Sequence, residues 1–140
     1  MKKYYYFAGL GAVLLGLVFS SCKNVLGPSS STPIVFPASN VSYTKQVQPL
    51  FDQKCNVPGC HDSQTQAGNP PLDLSDQNGY TSLITTPGIV VHGDTLDSEL
   101  IESVEGRMPL MPPPLSGISA LNQNQINGLK TWIMEGAKLN

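Results

Sequence analysis

Hydrophobic positions recur with a helical period in only a few stretches of this chain. Val47, Leu50, Phe51 and Cys55 fall at i, i+3, i+4 and i+8, one face of a helix. Thr44 or Ser42 can cap that helix, and Pro49 then falls in its first turn, where an N–H is not needed. The helix runs into Cys55. From His61 to Gly88 the chain is rich in Gln, Asn, Asp, Gly and Pro, with turn signals at Pro70-Pro71 and Asn78-Gly79. Leu72, Leu74, Tyr80, Leu83 and Ile84 are its apolar points, and residues 80–84 suit a short helix. Residues 98–104 suit another, with Leu100, Ile101 and Val104 on one face. The last stretch has the strongest pattern. Asn122 and Gln125 make a capping-box pair, Ile126, Leu129, Trp132 and Ile133 form an apolar face, and Gly136 marks the exit. No pair of segments alternates as strands do. The expected class is all-α, with a few short helices and long loops. Loops of that length in a small domain need something to wrap around.

The first residues follow a different pattern. Lys2 and Lys3 precede an apolar run from Tyr4 to Phe19, and Ser20 and Ser21 precede Cys22. A positive flank, an apolar core and small residues are the layout of a secretory signal. The run falls short of the roughly 20 residues of a membrane span. Small residues directly before a cysteine resemble the lipobox of bacterial lipoproteins, with Phe19 where Leu is usual. That resemblance implies cleavage before Cys22 and diacylglycerol on its thiol. An uncleaved anchor, or an ordinary signal beside an unrelated cysteine, is the alternative. Lys23 differs from the acidic inner-membrane retention signal of some bacteria and favours the outer membrane. Residues 1–21 are thus read as a lipoprotein signal peptide, 22–40 as a flexible Ser/Pro/Gly-rich tether, and 41–140 as the folded domain. The expected location is the cell envelope.

Length and charge narrow the picture further. With 140 residues, one domain is expected. About 100 residues form a marginal core from side chains alone, so a buried cofactor would add apolar contact. The net charge is −2, and removal of Lys2 and Lys3 leaves 6 basic against 10 acidic side chains. No basic run is present to engage phosphates, which excludes nucleic acid as a partner.

Beyond Cys22, the remaining cysteines lie in Cys55-Asn56-Val57-Pro58-Gly59-Cys60-His61. The haem-attachment signature is C-x-x-C-H, and here the spacing is C-x4-C-H. In such a motif two thiols add to the haem vinyl groups, and the following histidine comes to lie under the iron as proximal ligand. The Pro58-Gly59 pair can turn the longer loop so that both sulfurs reach. Two other chemistries compete. A Cys55–Cys60 disulfide suits an oxidising compartment. Zinc on Cys55, Cys60, His61 and His92 would make an awkward tetrahedron from adjacent ligands.

Three stretches, VQPLFDQKCNVPGCHD, GIVVHGDTLDSELIESVEGRMP and LNQNQINGLKTWIMEGA, together resemble the small exported monohaem cytochrome c domains grouped with the planctomycete-type cytochromes. The resemblance covers Val41 to Ala137. It implies a class I-like cytochrome c fold with one haem c per chain. It further implies a first helix that carries the haem cysteines and packs on the last helix, and a methionine in the MPP loop as distal iron ligand. Met111, in Met-Pro-Pro context, is preferred. Met108, in Gly-Arg-Met-Pro context, is the alternative, and His92 is a less fitting one. Met134 is read as packing or surface. Trp132, Leu129, Phe51 and Leu50 are expected to wall the pocket. The implied role is electron transfer rather than catalysis, with redox proteins of the periplasm or outer membrane as partners. The protein would act as a monomer or as a subunit of a redox complex. The rival roles are a haem enzyme with an open sixth position, and a disulfide-bonded binding module without haem.

Overall fold

The computed structural model describes residues 32–140, so the segment read as a signal peptide and Cys22 lie outside the described residues. Four α-helices and no strand are found among the described residues: α1 (Gln48–Lys54), α2 (Gly79–Thr85), α3 (Glu99–Val104) and α4 (Gln123–Met134). A π-helical turn, Tyr43–Val47, leads directly into α1. Ser42 caps that turn, its hydroxyl accepting from the Lys45 N–H at 3.3 Å. Thr44, the other foreseen cap, instead donates to the Asn140 carbonyl at 2.7 Å. Pro49 sits in the first turn of α1, and Val47, Leu50 and Phe51 are fully buried on the expected face. Each such side chain contributes roughly 1.5–3 kcal/mol on burial.

The helix ends are set by local chemistry. At the start of α4, the Asn122 side chain accepts from the Gln125 N–H, and Gln125 Oε1 accepts from the Asn122 N–H, both at 3.0 Å. At its end, Gly136 adopts φ +94°, and the Gly136 and Ala137 N–H groups return to the Ile133 and Trp132 carbonyls. This is a Schellman closure, which asks for a left-handed residue. Gly106 closes α3 in the same way, with φ +77° and an Arg107 N–H to Glu102 carbonyl bond of 2.8 Å. The start of α3 is held from outside: the Glu99 and Leu100 N–H groups donate to the Gly88 and Ile89 carbonyls.

The core joins α1, α3 and α4 around Trp132, Phe51, Leu50, Ile101 and Leu129. α3 lies against α4, and Glu105 at the exit of α3 pairs with Lys130. The first helical segment meets α4 through the turn before α1, where Tyr43 packs on Trp132 with ring centroids 5.6 Å apart. Tyr43 also stands edge-on to Tyr80 at 5.2 Å.

One expectation is corrected. The tether reading extends to Asn40, yet residues 34–40 are docked on the domain. Phe36 is buried, and its backbone N–H and carbonyl are both engaged by the Asn124 side chain, at 2.8 and 3.1 Å. Its ring lies where a Cβ on Gly128 would stand. Further on, the Glu135 carboxylate accepts from the Asn40 and Val41 N–H groups. A single aromatic residue in a Ser/Pro-rich stretch carries no periodicity, so its partner across the fold was not legible.

Candidate functional site

The cysteine–histidine loop begins where α1 stops. Cys55 caps the helix end, and the chain then makes a turn over Val57-Pro58-Gly59-Cys60, closed by a Cys60 N–H to Val57 carbonyl bond of 3.0 Å. Proline first and glycine second, the latter at φ +86°, form a type II turn. The anticipated Pro-Gly reversal is therefore present, and it brings Cys60 and His61 back toward Cys55: the His61 N–H reaches the Cys55 carbonyl at 3.2 Å. Asp62 secures the loop from the other side. Its carboxylate accepts from the Thr65 and Gln64 N–H groups at 2.8 Å and from the Gly59 N–H at 2.7 Å. Those backbone donors hold the carboxyl below its ordinary range.

Both thiols are free. Cys55 packs against the core. Burial, reinforced by nearby Cys60 and opposed by Lys54, pushes its thiol up to about 12, so it is neutral in the folded chain at physiological pH.

Cys55, Cys60 and His61 line one cavity of about 310 Å³, at the lower end of the range for small-molecule and cofactor sites. The walls are mainly apolar, including Leu72, Leu74, Ile89, Leu100 and Val104. Met111, Pro112, Pro113 and Ile118 complete the lining. Met111 reaches the cavity because α3 ends at Val104, Gly106 turns the chain, and the Ser103 carbonyl then accepts from the Met111 N–H at 3.0 Å. The His61 ring is oriented by Nδ1, which lies 3.2 Å from the Leu72 carbonyl. With Nδ1 as donor to that carbonyl, Nε2 carries the free lone pair.

The other candidates fall elsewhere. Met108 is 43% exposed and does not line the cavity. His92 is exposed, with Nδ1 2.8 Å from the Gly136 carbonyl, and is likewise absent from the lining. This separates it from the three ligands it would join around zinc. Met134 is exposed on α4. The expected walls Trp132, Leu129, Phe51 and Leu50 require correction. All four are fully buried, but in the core behind the site, and none lines the cavity. Apolar helix faces predict burial without saying whether another side chain or a cavity lies opposite. Of the five apolar points between His61 and Gly88 that could pack on a cofactor, Leu72 and Leu74 line the cavity, whereas Tyr80, Leu83 and Ile84 do not. The Asp62 brace, the Leu72 carbonyl and the polar rim of Glu99 and Ser103 were not foreseen. Only Asp62 left a signal, an acid three residues before Thr65 and directly after His61.

Comparison with family models, with curated proteins and with solved structures gave no match to this chain.

Proposed function

We propose that this chain is a monohaem electron-transfer domain of the c type with a class I-like cytochrome c fold, exported and attached to the cell envelope through Cys22. One observation carries the reading. Two thiols, an oriented imidazole and a thioether, contributed by two distant loops, converge on a single apolar cavity. This donor set fits haem c. Cys55 and Cys60 would form the thioether bonds, His61 would ligate through Nε2, and Met111 would be the distal ligand.

Bound haem would supply a one-electron iron couple, with a potential raised by His/Met ligation. The chain does the rest. The Leu72 carbonyl fixes the imidazole tautomer and supports ligand basicity. Leu72, Leu74, Ile89 and Leu100 give the site apolar walls, and an apolar surround raises the cost of an extra charge. The role calls for redox proteins of the envelope as partners and for no bound substrate.

The test is expression of the full chain with haem-maturation machinery, followed by intact mass and a pyridine haemochrome spectrum. A mass gain of one haem is expected. Its absence would reject the cytochrome reading and favour a disulfide-bonded module. The sulfur-to-iron charge-transfer band should vanish in Met111→Ala and survive in Met108→Ala. The reverse pattern would transfer the ligand role to Met108, and a wild-type protein without the band would point to an open, enzymatic site.

A further inference from the structure

The segment after Met111 is unusually poor in backbone hydrogen bonds. Pro112, Pro113 and Pro114 have no N–H to give. The bonds within the segment are local: Ser116 N–H and Oγ to the Pro113 carbonyl, and Ile118 N–H to Ser116 Oγ. Among the described residues, only one side chain ties residues 112–120 by hydrogen bonds to the rest of the domain. Lys54 Nζ donates to the Ser119 carbonyl at 3.1 Å and also to the Ser119 hydroxyl.

Lys54 is the last residue of α1 and stands directly before Cys55, while Ser119 follows the cavity-lining Ile118. The ammonium therefore links the helix end that carries Cys55 to the segment that follows Met111. Leu115 is 100% exposed, so apolar packing does not hold the tip of the segment.

We infer that Lys54 is a positioning residue: it clamps residues 112–120 to the end of α1 and so keeps Met111 at its site. The inference rests on the haem reading for its ligand but not for the clamp itself. Met111 is fixed on one side by the Ser103 carbonyl. On the other side Pro112 is buried and Ile118 lines the cavity, so release of Ser119 removes the hydrogen-bonded part of the hold and lets the proline-rich segment loosen around the thioether. The ammonium acts through the segment and touches no reacting atom.

The experiment uses the full-length, haem-loaded protein and imidazole as an external iron ligand, which binds only when the methionine has left. The two Lys54–Ser119 contacts lie at the surface, where together they correspond to roughly a three- to fivefold change in an opening equilibrium. Lys54→Met, which keeps the aliphatic stem, should raise imidazole affinity by about that factor and speed amide exchange at residues 115–120. Lys54→Arg, which keeps the charge and donors, should stay near wild type. Unchanged imidazole affinity in Lys54→Met would overturn the inference. So would an equal rise in Ser42→Ala, a cap variant at the opposite end of the first helical segment, because the effect would then be general loosening. If Lys54→Met does not fold, Ser119→Ala carries the test, with an expected rise of roughly two- to threefold for one weak surface contact and no rise as the refuting result. A wild-type protein without covalent haem would reject the proposed function. Exchange at residues 115–120 in that same protein would then decide the clamp, and no acceleration in Lys54→Met would sink it.

Discussion

Replacing Gly128 with alanine sets two opposed effects against each other, and the structure decides the sign. Glycine inside a helix is worse than alanine by about 1 kcal/mol, so a solvent-facing Gly128→Ala change would stabilise α4. Gly128 is buried, however, and a Cβ there would lie 2.1, 2.2 and 2.4 Å from Phe36 Cγ, Cδ1 and Cβ. Carbon contacts settle near 3.5 Å, so the ring must retreat by about 1.4 Å or leave. Retreat is opposed by the two Asn124 hydrogen bonds that grip the Phe36 backbone. Losing a buried phenylalanine costs about 3–5 kcal/mol. Against the helix gain, a net loss of about 2–4 kcal/mol is expected. In a domain of this size that lowers the melting temperature by about 10 °C. Urea unfolding of wild type, Gly128→Ala, Phe36→Ala and the double variant, all prepared identically, measures the effect. In the Phe36→Ala background the clash is gone, and Gly128→Ala should become neutral or stabilising by up to about 1 kcal/mol. A stabilising Gly128→Ala in the wild-type background would refute the reasoning. So would two losses that add within about 0.5 kcal/mol.

Two further predictions concern the loop and the acidic surface beside α1. At Gly59 the φ of +86° admits glycine, and no atom stands within 4 Å of a Cβ there. Gly59→Ala should therefore act through backbone strain alone, about 1–2 kcal/mol. It should lower the yield of covalent haem while leaving α4 intact, and a normal yield at unchanged stability would contradict the turn assignment. Asp76 is held above the ordinary carboxylate range, first by the charge of Asp52 and then by burial. Its folded form takes up a proton more readily than the unfolded chain. The resulting penalty is absent below the unfolded value and present once pH exceeds the folded one. Asp76→Asn should thus raise the melting temperature slightly at pH 7 and leave it unchanged near pH 3. An equal shift at both pH values would exclude the repulsion.

The cavity, the clamp and the docked arm bear differently on the haem reading. Cys55, Cys60 and His61 lie within seven consecutive residues, so a single turn suffices to gather them. Met111 comes from a loop some 50 residues later, and its presence beside them depends on where α3 stops. A reading from the motif alone leaves a disulfide open. The same motif sharing one mainly apolar cavity with Met111 is what carries the proposed function.

Local patterning was legible wherever one segment contains both partners of an interaction. The apolar face of α1, the Asn122–Gln125 capping box, the Gly136 exit and the Pro58-Gly59 reversal all follow from spacing or backbone freedom within a few residues. The sequence by itself therefore determined an all-α class and a gathered Cys55–Cys60–His61 set. Only the tertiary structure decided what those elements face. It turned Met111 rather than Met108 to the cavity and docked Phe36 on Gly128 across 92 residues. It also sent Trp132 into the core behind the site and supplied the Leu72 carbonyl to His61. Each of these depends on volume and on a partner distant in the chain. Hydrophobic periodicity says that a side chain is buried, whereas packing alone decides against what.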